Sequence, residues 1–145
     1  MLFRSMTDYH EQVRSANARF YKALERGDLD LMGEVWLRDG FSKCVHPGWP
    51  MLTGWDSIKE SWSSIFSGGG PIKIEISDLH TDLIGDVAWI TCIERITQRV
   101  GENFHTGLAQ TTNIFERHDS KWLLVLHHAS PVPVRLEDAT ETKLQ

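Results

Sequence analysis

The chain has 145 residues, of which 41% are hydrophobic and 24% charged, a composition typical of one globular domain with its own core. Its net charge is −5 and its basic residues are scattered singly, which argues against a nucleic-acid-binding surface. No apolar run is long enough to cross a membrane and residues 1–6 contain no signal-peptide core. We therefore expect a cytoplasmic protein that does not associate with membranes.

The first half of the chain predicts three helices. Asp8 and Glu11 form a capping-box-like pair ahead of apolar residues at helical spacing, and Gly27 is placed to end this first helix. Asp28 is placed to cap a second, shorter helix, which the pair Asp39–Gly40 breaks.

A turn-rich segment separates the second helix from the third. A short predicted strand, 41–45, leads into a turn that Pro47–Gly48 and Pro50 force. Thr53 and Asp56 then resemble another capping pair, and apolar residues at i, i+3 and i+7 predict the third helix behind them.

After the glycine-rich segment 67–71 the hydrophobic period changes from helical to alternating. Short turns at Gly85–Asp86, Gly101–Glu102 and Asp119–Ser120 separate four long strands, which predicts an antiparallel meander. The fold class is therefore α+β, with three helices packed against a curved antiparallel sheet.

We expect one domain, 8–133, with an N-terminal extension, 1–7, and a polar C-terminal tail, 134–145. The last predicted strand, 122–130, is apolar on both faces in its middle, and the helices can cover only one face of the sheet. A homodimer through the sheet would cover the other face.

Hairpin turns fix the register of the paired strands, so the face of the sheet on which each side chain lies can be deduced from one strand to the next. We call this alternation between faces parity. A turn centred on Asp119–Ser120 would place Phe115 opposite Leu124, Asn113 opposite Leu126 and Thr111 opposite His128. A turn centred on Gly101–Glu102 would place Glu94 opposite Ala109 and Cys92 opposite Thr111. The inward face is then expected to carry Cys92, Glu94, Thr111, Asn113, Phe115, Trp122, Leu126 and His128. The outer face, interpreted as the subunit interface, would carry Trp89, Thr91, Arg95, Gln110, Thr112, Ile114, Val125 and His127.

Several local motifs resemble the SnoaL-like branch of the NTF2-like superfamily. They are Gly27–Asp30, Cys44–Gly48, Thr53–Gly54, Lys121–Val125 and His128–Ser130. The resemblance implies an α+β cone in which a strongly bent sheet wraps around the helices and leaves a deep cavity at the open end. Members are usually dimers through the sheet, and they include isomerases, cyclases, dehydratases and kinase association domains.

Two positions can be compared with the ketosteroid isomerases of this superfamily. Their general base stands just before a proline in the first short strand, and the similar position here is His46, before Pro47. Their oxyanion-hole tyrosine lies in the first helix, where this chain has Phe20, with Tyr21 expected to point elsewhere. The missing hydroxyl argues against steroid isomerisation.

His46, Glu94 and His128 are the candidate catalytic residues. An imidazole titrates near neutral pH, so His46 could remove or return a proton beside a carbonyl; a structural hydrogen bond closing the turn is the alternative. Glu94 interrupts an apolar strand, so it should be either paired or shifted in pKa. His128 could orient or protonate Glu94 or a ligand, or be a satisfied core histidine.

Residues expected to bind the substrate surround these groups. The aromatic side chains could line a cavity for a flat apolar molecule or simply form core, and Asn113 or Thr111 could donate to a ligand oxygen. The predicted set is Trp49, Trp62, Trp36, Phe20, Cys92, Thr111 and Asn113.

The two cysteines, Cys44 and Cys92, indicate buried thiols in a reducing compartment, with a disulfide bridge or a metal site as the alternative. The spacing of Cys44 and His46 fits no zinc signature, so we expect neither a metal nor another cofactor. Two functions remain open. One is an acid/base isomerase, cyclase or dehydratase acting on a small apolar carbonyl compound, and the other is a non-catalytic, dimeric ligand-binding or association module.

Overall fold

The computed structural model of the chain describes residues 6–133. The predicted tail, 134–145, and residues 1–5 of the predicted extension lie outside that range. Three helices pack against a curved sheet, and their bounds are α1 (Met6–Arg26), α2 (Leu29–Val35) and α3 (Trp55–Gly68). None of the helices in the described range is long and apolar enough to cross a membrane.

Six strands form one sheet in the order β2-β1-β6-β5-β4-β3. Their bounds are β1 (Lys43–Val45), β2 (Leu52–Thr53), β3 (Ile72–Ile84), β4 (Val87–Val100), β5 (Asn103–His118) and β6 (Lys121–Val132). The four long strands form the predicted antiparallel meander. Strand β1 pairs parallel with β6, so the sheet is mixed rather than purely antiparallel. Local sequence around β1 carries no information about which distant strand it will join.

The junction between α1 and α2 follows the prediction. Gly27 has a φ of +62°, and its amide and that of Asp28 donate to the carbonyls of Leu24 at 3.3 Å and Ala23 at 2.9 Å. This pair of bonds is a Schellman motif, which requires a left-handed residue at Gly27. The carboxylate of Asp28 then accepts from the Leu31 amide at 3.0 Å and caps α2.

Two predicted caps are wrong. Helix α1 is already helical at Met6, so Asp8 lies within its first turn rather than ahead of it. The N-cap of α3 is Gly54, which makes no side-chain capping bond. Thr53 cannot serve as that cap because it ends strand β2, which the sequence pattern did not reveal.

A bulge in β6 changes which histidine faces the core. Phe115 pairs with Leu124 as predicted, but Ile114 pairs with Leu126, which leaves Val125 as an extra residue. A one-residue slip moves every later side chain to the opposite face. His127 is therefore buried and pairs with Asn113, whereas His128 lies on the outer face.

The main core fills the space between the helices and the inner face of the sheet. Its largest fully buried side chains include Phe20, Trp36, Trp62 and Phe115. The ring centroid of Phe20 lies 6.4 Å from that of Trp36 and 5.8 Å from that of Trp62, in edge-to-face geometry. This arrangement places an aromatic layer directly behind the wall of the cavity described below.

Candidate functional site

A cavity of about 240 Å³ opens among α1, α3, the end of β1 and strands β3, β4 and β6. Three titratable side chains line it: Glu94 on β4, His46 just after β1, and His127 on β6. Neither lysine nor arginine is among the lining residues that the structure describes. Its remaining walls are Leu24, Pro47, Trp49, Trp62, Ile65, Ile72, Ile74 and Ile96.

Glu94 is a carboxyl group inside this apolar wall, with 1% of its surface exposed. The hydroxyl of Tyr21 donates to its Oε2 at 2.6 Å. Burial raises the pKa of Glu94, and the Tyr21 bond opposes that rise only in part. Burial beside Glu94 also raises the pKa of Tyr21, so the phenol stays protonated. The environment therefore favours the neutral acid form of Glu94.

Asn113 joins Tyr21 to His127. Its amide nitrogen donates to Asn17 Oδ1 at 2.9 Å and to the Tyr21 hydroxyl at 3.1 Å. Its carbonyl oxygen lies 2.6 Å from Nδ1 of His127. Because an amide oxygen only accepts, Nδ1 of His127 carries a hydrogen and Nε2 keeps a lone pair. One buried chain of hydrogen bonds thus connects the acid to an imidazole of fixed tautomer.

His46 has the opposite tautomer. The Ser61 hydroxyl donates its single hydrogen to the Ile58 carbonyl at 2.6 Å, so it must accept from Nε2 of His46, which lies at 2.8 Å. Nδ1 of His46 therefore keeps a lone pair. The ring planes of Trp49 and Trp62 are nearly perpendicular to the imidazole, with centroids at 4.8 and 4.5 Å from its centroid.

Both cavity histidines are neutral at physiological pH. Burial lowers the pKa of His46 to about 4. Burial, assisted by the nearby His46 and His128, lowers the pKa of His127 to about 3. The ring centroids of His46 and His127 are 6.5 Å apart, so one small molecule could contact both. The site accordingly combines an acid that favours its proton with two imidazoles that favour their lone pairs.

The two thiols lie beside this network without forming a disulfide. Sγ of Cys44 is 3.9 Å from Nδ1 and 3.7 Å from Nε2 of His46, and burial raises the Cys44 pKa. Sγ of Cys92 is 3.5 Å from the Tyr21 hydroxyl, and burial raises its pKa to about 11. Within residues 6–133, no group of three His, Cys, Asp or Glu side chains is arranged to hold a metal ion.

The profile of the SnoaL-like domain matches residues 13–135, which is most of the chain. The chain belongs to the SnoaL-like family. A crystal structure from Streptomyces avermitilis, described as a "putative dehydratase" of the NTF2-like family, is 36% identical, covers 89% of this chain and 99% of its own, and has a TM-score of 0.84. The SnoaL-like fold predicted from the sequence motifs is thereby confirmed.

Two further relatives of this SnoaL-like chain are not described as dehydratases. A "putative calcium/calmodulin-dependent protein kinase type II association domain" from Thiobacillus denitrificans is 30% identical, covers 83% of this chain and 94% of its own, and has a TM-score of 0.74. The F-box protein SKIP8 of Arabidopsis thaliana is 27% identical over 126 residues, which are 85% of this chain. The chain spans about half the length of that curated relative.

The structure brings some of the predicted site residues of this SnoaL-like domain together. His46, Glu94, Trp49 and Trp62 all line the cavity. Four others are buried but do not line it, and they are Phe20, Cys92, Thr111 and Asn113. Of these four, Cys92 and Asn113 contact the Tyr21 hydroxyl.

Two placements in the predicted site are wrong. His128 is exposed on the outer face, because the β6 bulge gives the inward position to His127. Trp36 lies on the far side of Phe20, where it packs against Trp55 and lines a separate surface groove rather than the cavity.

Sequence reasoning missed Tyr21, Asn17, Ser61 and His127. Tyr21 was expected to point away because Phe20 holds the position of the isomerase tyrosine, yet both side chains are buried and their rings contact each other at 4.9 Å. Helix α1 packs against α2, β3, β4 and β6, so the buried part of its surface is wider than the narrow apolar face that the sequence spacing indicated. The polar residue Asn17, one turn before Tyr21, was the available signal that this part of α1 faces polar partners in the interior.

The lowered histidine pKa values predict that the free energy of unfolding decreases as the pH falls below 6.5. The folded-state values, about 4 for His46 and about 3 for His127, lie below 6.5, so unfolded chains take up these protons first. Their contribution to stability is therefore full above pH 6.5 and is lost as pH falls toward 3. Glu94 has a raised pKa and acts in the opposite direction, losing stability as pH rises above 4.5.

Urea unfolding of the variant His127→Gln should test this predicted loss of stability at acid pH. Because glutamine does not titrate, the variant should lose about 1–2 kcal/mol less stability than wild type between pH 7 and pH 5. The exposed His105 provides the control, since His105→Gln should follow wild type. Parallel losses in wild type and in His127→Gln would contradict the buried neutral imidazole.

Proposed function

We propose that this SnoaL-like protein is an acid/base enzyme that moves a proton at the carbon next to the carbonyl group of a small apolar molecule. Isomerisation, cyclisation and dehydration all share that step. The observation that carries the proposal is a carboxyl group favouring its proton and two imidazoles favouring their lone pairs in one apolar cavity.

The proposed role of each side chain follows from whether it carries a proton at neutral pH. His46 would be the general base through Nδ1, because this nitrogen keeps its lone pair and the imidazole lines the cavity. Glu94 would be the general acid. His127 would accept a hydrogen bond from a substrate hydroxyl through Nε2.

A dehydration illustrates the balance of protons. His46 takes the proton from the carbon beside the carbonyl, a carbon–carbon double bond forms, and the carbon–oxygen bond of the β-hydroxyl breaks. Glu94 gives its proton to the departing hydroxyl, which leaves as water. Transfer of the proton from the imidazolium to the carboxylate then restores both groups, so no other reactant is required.

The dimensions of the cavity support a small, neutral substrate. A volume of about 240 Å³ is below the range of about 300–1,000 Å³ that holds drug-sized ligands. No lysine or arginine among the described lining residues could balance an anionic group inside it. Trp49 lines the cavity and is 42% exposed, so it would contact an entering molecule.

Hydrogen–deuterium exchange tests the proposed reaction whatever its final product is. Small ketones and β-hydroxy ketones would be incubated with the protein in D₂O, and the loss of the proton beside the carbonyl would be followed by NMR. We expect exchange with at least one compound, its loss in His46→Ala, and its retention in the control His105→Ala. Binding seen by saturation transfer with no exchange in any compound would favour a non-catalytic module.

A second candidate function is an association module that dimerises through the sheet. The description of the relative from Thiobacillus denitrificans supports it, and so does the outer face of the sheet, where Trp89, Ile93 and Ile114 are only partly covered. Sedimentation velocity should then show a dimer in wild type and a monomer in Ile93→Asp. A monomer in wild type at micromolar concentration would rule this assembly out.

The cytoplasmic location also remains a proposal. Both Cys44 and Cys92 are free and buried, which is the state expected of thiols in a reducing compartment.

A further inference from the structure

Another concave surface lies outside the proposed active site, between α1 and β3. This groove has a volume of about 460 Å³. It lies beside a bulge in β3, where pairing skips from Ser77 to His80 and Asp78 adopts a φ of +49°. Two residues of β3, Asp78 and Leu79, therefore stand opposite Cys92 alone, and Leu79 becomes part of the groove wall.

The charge of the groove is opposite to that of the protein. Arg14, Lys22 and Arg26 line it and form no ion pair with any residue of the range 6–133. Among the lining residues that the structure describes, Glu25 is the single carboxylate. Glu25 is already engaged, since its Oε2 accepts from the Ile74 amide at 3.3 Å. The groove thus carries a net charge of +2 in a chain whose net charge is −5.

The same groove has an apolar middle. Ala18 lies between Arg14 and Lys22 at four-residue spacing along α1, and Ile76 and Leu79 face it from β3. Tyr21 lines the groove as well, but its hydroxyl is committed to Glu94 and is not available to a ligand there. The arrangement is therefore an apolar slot between cations, with Lys22 and Arg26 one helical turn apart at one end.

We propose that this groove binds an amphiphilic carboxylate, a molecule with one anionic head and a short apolar body. The carboxylate would lie between Lys22 and Arg26, where the guanidinium can bind both oxygens. The apolar body would cover Ala18, Ile76 and Leu79. This site is separate from the cavity of Glu94 and His46, whose described lining includes no lysine or arginine, so the two sites select different ligands.

Octanoate is a suitable probe, with methyl octanoate as its uncharged counterpart. We expect octanoate to shift the amide NMR signals of residues around Ala18 and Leu79, and methyl octanoate to bind more weakly. The double variant Lys22→Glu/Arg26→Glu should raise the Kd of octanoate by about tenfold or more, since two attractions become repulsions. Lys59→Glu is the matched control, because Lys59 is another exposed helical lysine that makes no ion pair within the described range.

The outcomes separate this proposal from the proposed enzyme function. An unchanged Kd in the double variant would overturn the groove site. NMR shifts centred on Trp49 and Trp62 would also overturn it and would place octanoate in the inner cavity. Absence of saturable binding at millimolar octanoate would also overturn it. Loss of ketone exchange in His46→Ala with unchanged octanoate binding would show that the two sites act independently.

Discussion

Replacing Glu94 with glutamine is expected to lower kcat by about 10²–10⁴-fold on any β-hydroxy ketone that the protein dehydrates, the usual contribution of a general acid. Glutamine keeps the shape of the side chain, and its oxygen can still accept from the Tyr21 hydroxyl. It cannot release a proton to a leaving group. The loss should therefore appear in kcat, with KM changed little.

The fold should survive this substitution, because burial already favours a neutral group at position 94. Circular dichroism and urea unfolding would verify that at neutral pH. Glu75→Gln supplies the control, since Glu75 is an exposed carboxylate on the neighbouring strand β3 and should keep wild-type activity. Full activity in Glu94→Gln would remove Glu94 from the mechanism.

Replacing Asn113 with leucine should produce the largest loss of stability among single substitutions at the site, about 3–5 kcal/mol. Leucine preserves the approximate volume but leaves Nδ1 of His127 and Oδ1 of Asn17 buried without their observed partner. The Tyr21 hydroxyl also loses one donor. Buried polar groups left unpaired cost more than a hydrogen bond contributes, which is why one amide has so large an effect.

Urea unfolding at pH 7 would measure this loss. Asn103→Leu is the matched control, because Asn103 is exposed at the start of β5 and the change there should cost little. A double-mutant cycle with Tyr21→Phe should show non-additivity of about 0.5–3 kcal/mol, as expected for directly bonded side chains. Additive losses, or a loss below about 1 kcal/mol for Asn113→Leu, would mean that the network contributes little to stability.

The course of the backbone could largely be predicted from particular residues. Gly27 and Asp28 specify a helix end and a helix start through their own conformational preferences, so local sequence sufficed there. The turn at Gly101–Glu102 gave the correct pairing of Glu94 with Ala109 because no bulge interrupts β4 and β5. Parity alone thus predicted that Glu94 faces inward.

The β6 strand could not be predicted in the same way. Residues 122–126 are apolar at every position, so a slip of one residue exchanges one apolar side chain for another and has no local signature. The bulge at Val125 is decided by packing across the whole sheet. It alone determines that His127 rather than His128 reaches Asn113.

The proposed mechanism depends on a carboxylic acid that keeps its proton near neutral pH inside the cavity. Difference infrared spectroscopy of wild type against Glu94→Gln at pH 7 tests this directly. We predict a carbonyl stretch of a protonated carboxyl group that is present in wild type and absent in the variant. Carboxylate stretching bands in its place would show that Glu94 is ionised at pH 7 and would contradict its role as the general acid.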